Sequence, residues 1–78
     1  MAHLRLFGPA REQAGVRGAE IPGQSVGAVL AEAETRFGTG FARIVRTSKI
    51  WVNGNAAGIE DLVSDDDEVA VIPPVSGG

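Results

Sequence analysis

Glu68-Val69-Ala70-Val71-Ile72-Pro73-Pro74-Val75-Ser76-Gly77-Gly78 closes the chain and changes character twice in eleven residues. Val69 to Ile72 is a short apolar run of strand-forming residues, set directly after the acidic, turn-like cluster Ser64-Asp65-Asp66-Asp67-Glu68. Pro73 and Pro74 stop any sheet there, because neither offers an N–H to a ladder and each holds φ near −65°. They direct the backbone into an extended path leading away from the strand. Gly77 and Gly78 carry no side chains, so the terminal carboxylate stands on the narrowest peptide a chain can make, one able to pass where a Cβ would block.

Glycine is 11 of 78 residues, so two closing glycines arise by chance in about one chain in fifty of this composition. The pair alone therefore decides little. Its position carries the argument: it follows a core-type strand by only a few residues, with two stiff prolines between. That is the design expected of a carboxylate delivered into another protein's active site.

Working back from this end, the other elements follow from punctuation and periodicity. Residues 2–7 alternate, with Leu4 and Leu6 set to face a core, and predict a strand that Gly8-Pro9 terminates. Pro9 to Ala14 predicts about one helical turn closed by Gly15. Gly18 to Ile21 reads as a second strand, stopped by Pro22-Gly23 and joined antiparallel to the first. Ser25 is a good N-cap, and Val26, Val29, Leu30, Ala33 and Phe37 form one stripe of a helix over residues 25–37, with Gly38 after it. Phe37 is expected to close that buried stripe, so that Phe37→Ala would cost ~3–5 kcal/mol. Phe41, Ile44 and Val45 are spaced for a short helix over 40–46. Lys49 to Val52 is the third strand, Asn53-Gly54 a tight turn, 55–58 a brief edge strand and 60–63 a single further turn.

Strand, strand, one long helix, strand and strand predict an α+β domain of the β-grasp type. A mixed four- to five-stranded sheet would lie across one main helix, with the first and last strands parallel at its centre. A split βαβ arrangement would need a second long helix, and residues 40–46 are too few for one. Residues 1–78 form a single domain on this reading, with a flexible tail from about residue 73.

Composition narrows the function. With no cysteine there is no disulfide, thiolate nucleophile or Cys-based metal site. A net charge of −3 argues against nucleic acid and anionic membranes as main partners. No apolar run is long enough to span a bilayer and no signal-peptide segment leads the chain, which makes the cytoplasm the default compartment. His3 is a lone histidine with no nearby ligand in sequence. Asp65 to Glu68 lacks the central glycine and distal glutamate of a calcium loop, and a solvated turn explains it better. Ser25, Ser48, Ser64 and Ser76 have no nucleophile-elbow setting. Gly38-Thr39-Gly40 lacks the Lys-Ser/Thr of a phosphate loop. Trp51, in a strand, is expected in the core. No metal site and no enzyme active site is expected in the chain itself.

Val71-Ile72-Pro73-Pro74-Val75-Ser76-Gly77-Gly78 resembles the C-terminus of the small sulfur-carrier subunits of molybdopterin synthase, in the MoaD/ThiS family of ubiquitin-like proteins. Leu6 to Glu12, Val52-Asn53 and Asp66 to Val69 extend the resemblance along the whole chain. Ser76 stands where threonine is common, and the thiamin-pathway carriers usually lack the Pro73-Pro74 pair. The resemblance implies a carrier that binds no cofactor itself. An E1-like enzyme would adenylate Gly78 with ATP, a sulfurtransferase would supply the sulfur of a thiocarboxylate, and the large synthase subunit would receive it. Gly77 and Gly78 would carry the chemistry. Arg11, Ile72, Pro73, Pro74, Val75 and Ser76 would meet the partners, with Arg11 facing a carboxylate and Ile72 packing on an apolar surface. Thiamin or cysteine synthesis, protein conjugation, or a plain β-grasp interaction module remain alternatives.

Overall fold

A computed structural model describes residues 1–74. The chain runs β1 (Ala2–Leu6), α1 (Gly8–Ala14), β2 (Gly18–Ile21), α2 (Val26–Phe37), α3 (Thr39–Thr47), β3 (Lys49–Val52), β4 (Asn55–Ala56) and β5 (Glu68–Ile72). The five strands make one mixed sheet in the order β2-β1-β5-β3-β4. β1 and β5 are parallel at its centre, with Leu4 opposite Val69 and Leu6 opposite Val71. β2 and β3 flank them antiparallel, in the β-grasp arrangement expected from the sequence.

Strand alternation sends Ala2, Leu4, Leu6, Ile21, Val69 and Val71 to one face, where all six are buried. The helices cover that face with Ala10 of α1, Val26, Val29, Leu30 and Ala33 of α2, and Phe41 and Val45 of α3. Each of the larger of these side chains contributes roughly 1.5–3 kcal/mol by leaving water. The burial is what holds so short a chain folded.

Local chemistry sets the element ends. The Ser25 hydroxyl accepts from the Ala28 N–H at 3.1 Å, capping α2. Gly38, at φ 95°, ends α2 and begins α3, a backbone conformation L side chains rarely adopt. It breaks what would otherwise be one continuous helix into two that fold against each other. Asn53 (φ 50°) and Gly54 (φ 84°) make the two-residue β3–β4 turn, whose positive φ values match the sheet's twist. Asn53 also ties that turn to β5. Its Nδ2 donates to Asp67 Oδ1 at 2.8 Å and its Oδ1 accepts from the Glu68 N–H at 2.9 Å.

Three expectations need correction. Phe37 does not close a fully buried stripe; it is half-buried and rests edge-on against Phe41, with centroids 5.2 Å apart. Phe41 is the fully buried ring, because α3 folds back beneath the end of α2 and takes the interior position. Trp51 is not in the core either. It lies opposite Ala70 and Ala56, on the sheet face away from the helices, while Ile50 and Val52 point inward. Finally, residues 60–63 form no helical turn. The carbonyls of Ile59 and Asp61 accept from Gly27 and Val26, two N–H groups at the start of α2 that have no partner within the helix. Residues 58–61 instead close a tight turn, the Asp61 N–H donating to the Gly58 carbonyl at 3.1 Å, and Leu62 bridges to Ser25. The helical turn expected at 9–14 and closed by Gly15 is present, lengthened to a seven-residue helix with Gly15 as its C-cap.

Candidate functional site

β5 is the strand that leads to the tail, and its place in the sheet determines what surrounds the tail's root. Hydrogen-bonded to β1 on one side and β3 on the other, it cannot shift along its axis without breaking both ladders. Its last residue, Ile72, pairs with Lys49 and lies next to the residue that follows β1, Phe7, which is still extended at φ −130° and ψ 152°. Pro73 is half-buried and Pro74 exposed. The chain is thus held rigid up to the prolines. Val75, Ser76, Gly77 and Gly78, four of the residues assigned roles from sequence, lie outside the described residues.

The outer sheet face beside this root is apolar at its centre. Rows of side chains cross it: Glu20, His3 and Glu68; then Arg5, Ala70, Trp51 and Ala56; then Phe7, Ile72 and Lys49. Ala70 is buried to 8% exposure with no helix above it, because Arg5 and Trp51 flank it from the neighbouring strands. Phe7 and Ile72 are 39% and 37% exposed, far more than the inward residues of the same strands. The Arg5 guanidinium lies over the Phe7 ring at 5.6 Å and 3.5 Å from Glu68, so its charge is partly occupied and its stem covers apolar surface. His3 hydrogen-bonds Glu20 through Nδ1. An apolar centre rimmed by charge is the composition of a protein-docking surface.

Of the partner-contacting residues expected from sequence, Ile72, Pro73 and Pro74 come together at this root. Arg11 does not join the sheet face: it is exposed on α1, in a shallow depression it shares with Glu12, Gly15, Val16 and Arg17. Phe7 and Trp51 were missed as surface residues. The parity of β1 could have found Phe7, since residues 3, 5 and 7 alternate against the buried 2, 4 and 6. Trp51 needed the register with β5.

The acidic turn is structural. Asp67 accepts from the Ser64 N–H at 2.8 Å, from the Ser64 hydroxyl at 3.2 Å and from Asn53. The Ser64 N–H above all, then Asn53, holds its carboxyl below the usual carboxylate range. Asp65 is likewise lowered, by the N-terminal ammonium 2.6 Å away. Among the described residues no three metal-ligating side chains converge, and no helix is long and apolar enough to cross a membrane.

A five-stranded mixed sheet grasping one long helix, with the first and last strands parallel at its centre, is the β-grasp fold of ubiquitin-like proteins. The ThiS family profile matches residues 4–78, and the chain belongs to that family. No curated protein matches the chain significantly. Among solved structures, small archaeal modifier protein 1 (SAMP1) of Methanosarcina acetivorans is 27% identical with a TM-score of 0.88, over 99% of this chain and 95% of that one. CysO in the BexX/CysO complex of Amycolatopsis orientalis is 25% identical with a TM-score of 0.84, over the whole of both chains. A protein of Pyrococcus furiosus described as a putative molybdopterin converting factor, subunit 1, is 28% identical with a TM-score of 0.79, over 95% of this chain and 97% of that one.

Proposed function

We propose that this chain is the sulfur carrier of molybdopterin synthesis. Its Gly78 carboxylate attacks the α-phosphorus of ATP on an E1-like enzyme, releasing pyrophosphate and leaving an acyl adenylate. Sulfur at the sulfide level, supplied through a sulfurtransferase, then attacks the acyl carbon; AMP leaves, and the product is a thiocarboxylate. That thiocarboxylate enters the large synthase subunit and gives its sulfur to a pterin precursor. The carrier contributes positioning rather than acid–base chemistry. Its sheet holds β5 fixed, the outer face around Phe7, Trp51 and Ile72 docks, Pro73 and Pro74 stiffen the approach, and Gly77 keeps the last peptide thin.

The observation that carries this reading is the junction at Ile72: a central, doubly paired strand ends beside an exposed apolar face and passes at once into Pro73-Pro74 and the closing Gly77-Gly78. Family membership is common to the sulfur-carrier and modifier readings, and the similarity to the P. furiosus protein supports the molybdopterin pathway. The similarity to SAMP1 and to CysO favours a second reading, in which the same activated terminus serves protein conjugation or another sulfur pathway. Intact-mass measurement of the chain from its native cell separates these. Replacement of one terminal oxygen by sulfur supports the carrier. Isopeptide-linked conjugates with no thiocarboxylate support the modifier. An unmodified terminus under all growth conditions, with none of either, defeats both.

A further inference from the structure

The chain carries a net −3, yet its charges are sorted by position. Five cations make no ion pair among the described residues: Arg11, Arg17, Arg43, Arg46 and Lys49. All five are exposed. The topology brings them to one end of the sheet, the end from which the tail leaves. Arg17 immediately precedes β2, and its carbonyl accepts from the Leu6 N–H at 2.8 Å. Arg11 is on α1, which begins just after β1 ends beside Ile72, and it shares a depression with Arg17. Lys49 opens β3 directly opposite Ile72. Arg46 is in the last turn of α3, which delivers the chain to Lys49, and Arg43 stands one turn back on the same side.

Against these five stand Glu12, on α1; Glu34, which lines the groove beside Arg46 without pairing with it; and Glu60 and Asp61, which follow Ile59 of that groove and lie close after Ala57, the partner of Ile50. The tail end therefore carries five cations against four carboxylates, a net +1, and the remaining two cations and six carboxylates carry −4, which together give −3. Asp65, Asp66 and Asp67 precede β5 and so occupy the opposite end of the same sheet. The separation makes the domain a dipole with its positive pole around the root of the tail. Nucleic acid is a poor match for a molecule whose remaining surface is this acidic.

We infer that this cationic collar of Arg11, Arg17, Arg43, Arg46 and Lys49 recognises an acidic protein surface surrounding the mouth of the channel that receives Gly78, and steers the domain to arrive tail first. The inference rests on the carrier reading and names the chemistry of the partner that reading requires. Apolar docking through Phe7, Trp51 and Ile72 sets how long the complex lasts. The collar sets how often the productive orientation is met.

The test uses the full chain and the source cell's activating enzyme, isolated through its carrier-dependent ATP–pyrophosphate exchange. The variants are R43E/R46E/K49E, its neutral counterpart R43Q/R46Q/K49Q, and D65K/D66K at the far pole. Thermal unfolding checks that each folds like the parent, as exposed positions allow. The triple reversal is expected to raise KM for the carrier by about tenfold or more with kcat little changed, and the neutral variant by less. The parent's kcat/KM should fall steeply with added salt and the reversed variant's should not. D65K/D66K should leave KM near the parent value. An unchanged carrier KM in the folded triple reversal overturns the collar and leaves the carrier reading standing. A rise in KM for ATP instead of for the carrier overturns it too, since the cations would then serve the nucleotide. No exchange with the parent chain removes both readings.

Discussion

Replacing Phe41 by alanine tests the packing that positions the tail-bearing sheet. Phe41 has 0% exposure, and its ring fills the interior between α1, α2 and the sheet. Truncation there leaves a cavity that the surrounding backbone cannot close, at a cost of ~3–5 kcal/mol. At ~0.05–0.15 kcal/mol per residue, a chain of 78 residues has about 4–12 kcal/mol of total stability. The substitution therefore removes about a quarter of that stability at least, and at the lower end of the range it exhausts most or all of it. Phe37→Ala should cost only ~1–2 kcal/mol, because that ring is half-exposed and water can occupy the space left behind. The two rings meet edge-to-face at 5.2 Å and 65°, so the double variant should fall short of additivity by about 0.5–1.5 kcal/mol. Urea midpoints at constant slope give all three values. If Phe41→Ala proves too unstable to measure, Phe41→Leu occupies its place in the cycle. A Phe37→Ala cost equal to or above that of the Phe41 variant would show that the interior ring has been misassigned.

Other outcomes follow from the tail and the acidic turn. Deleting Gly77-Gly78 should leave the melting temperature nearly unchanged, since both residues lie beyond the last strand; a loss of several degrees would make the end structural. Gly77→Val should likewise fold normally but lose adenylation or sulfur transfer by orders of magnitude, as measured by pyrophosphate exchange, because its branches restrict φ/ψ and widen the peptide; normal turnover would refute the threading argument. Asn53→Ala forfeits two side-chain hydrogen bonds and places a Cβ residue of low left-handed preference at φ 50°, for a loss of ~1–3 kcal/mol by denaturant midpoint. Asp67 has a folded-state pKa below its ordinary value of 3.8, so its contribution is present above that pH and is lost as pH falls through 3.8 and below. Acid unfolding of Asp67→Asn should show a shallower pH dependence in that window, and an identical profile would argue that Asp67 is free in solution.

Reading along the chain identifies whatever is governed by neighbours in sequence. The apolar stripe of Val26, Val29, Leu30 and Ala33 and the Ser25 cap announce α2, because helical contacts recur every three or four residues. The Asn53-Gly54 pair announces its turn because both residues accept positive φ. Pro73 and Pro74 announce where β5 must stop, because neither can donate to a ladder. Even the parallel pairing of first and last strands follows from strand order and the requirement to cover one helix. What depends on which residues meet across the fold was settled only by tertiary structure. Phe37 and Phe41 are alike as sequence, but α3 turning back at Gly38 puts one inside and leaves the other at the rim. Trp51 has the hydrophobicity of a core residue, but its register against Ala70 turns it to the outer face beside the tail. The collar of cations was equally hidden: Arg11 and Arg17 lie more than twenty-five residues before Arg43, Arg46 and Lys49, and they share one end of the molecule only because β1 and β5 finish there while β2 and β3 begin there.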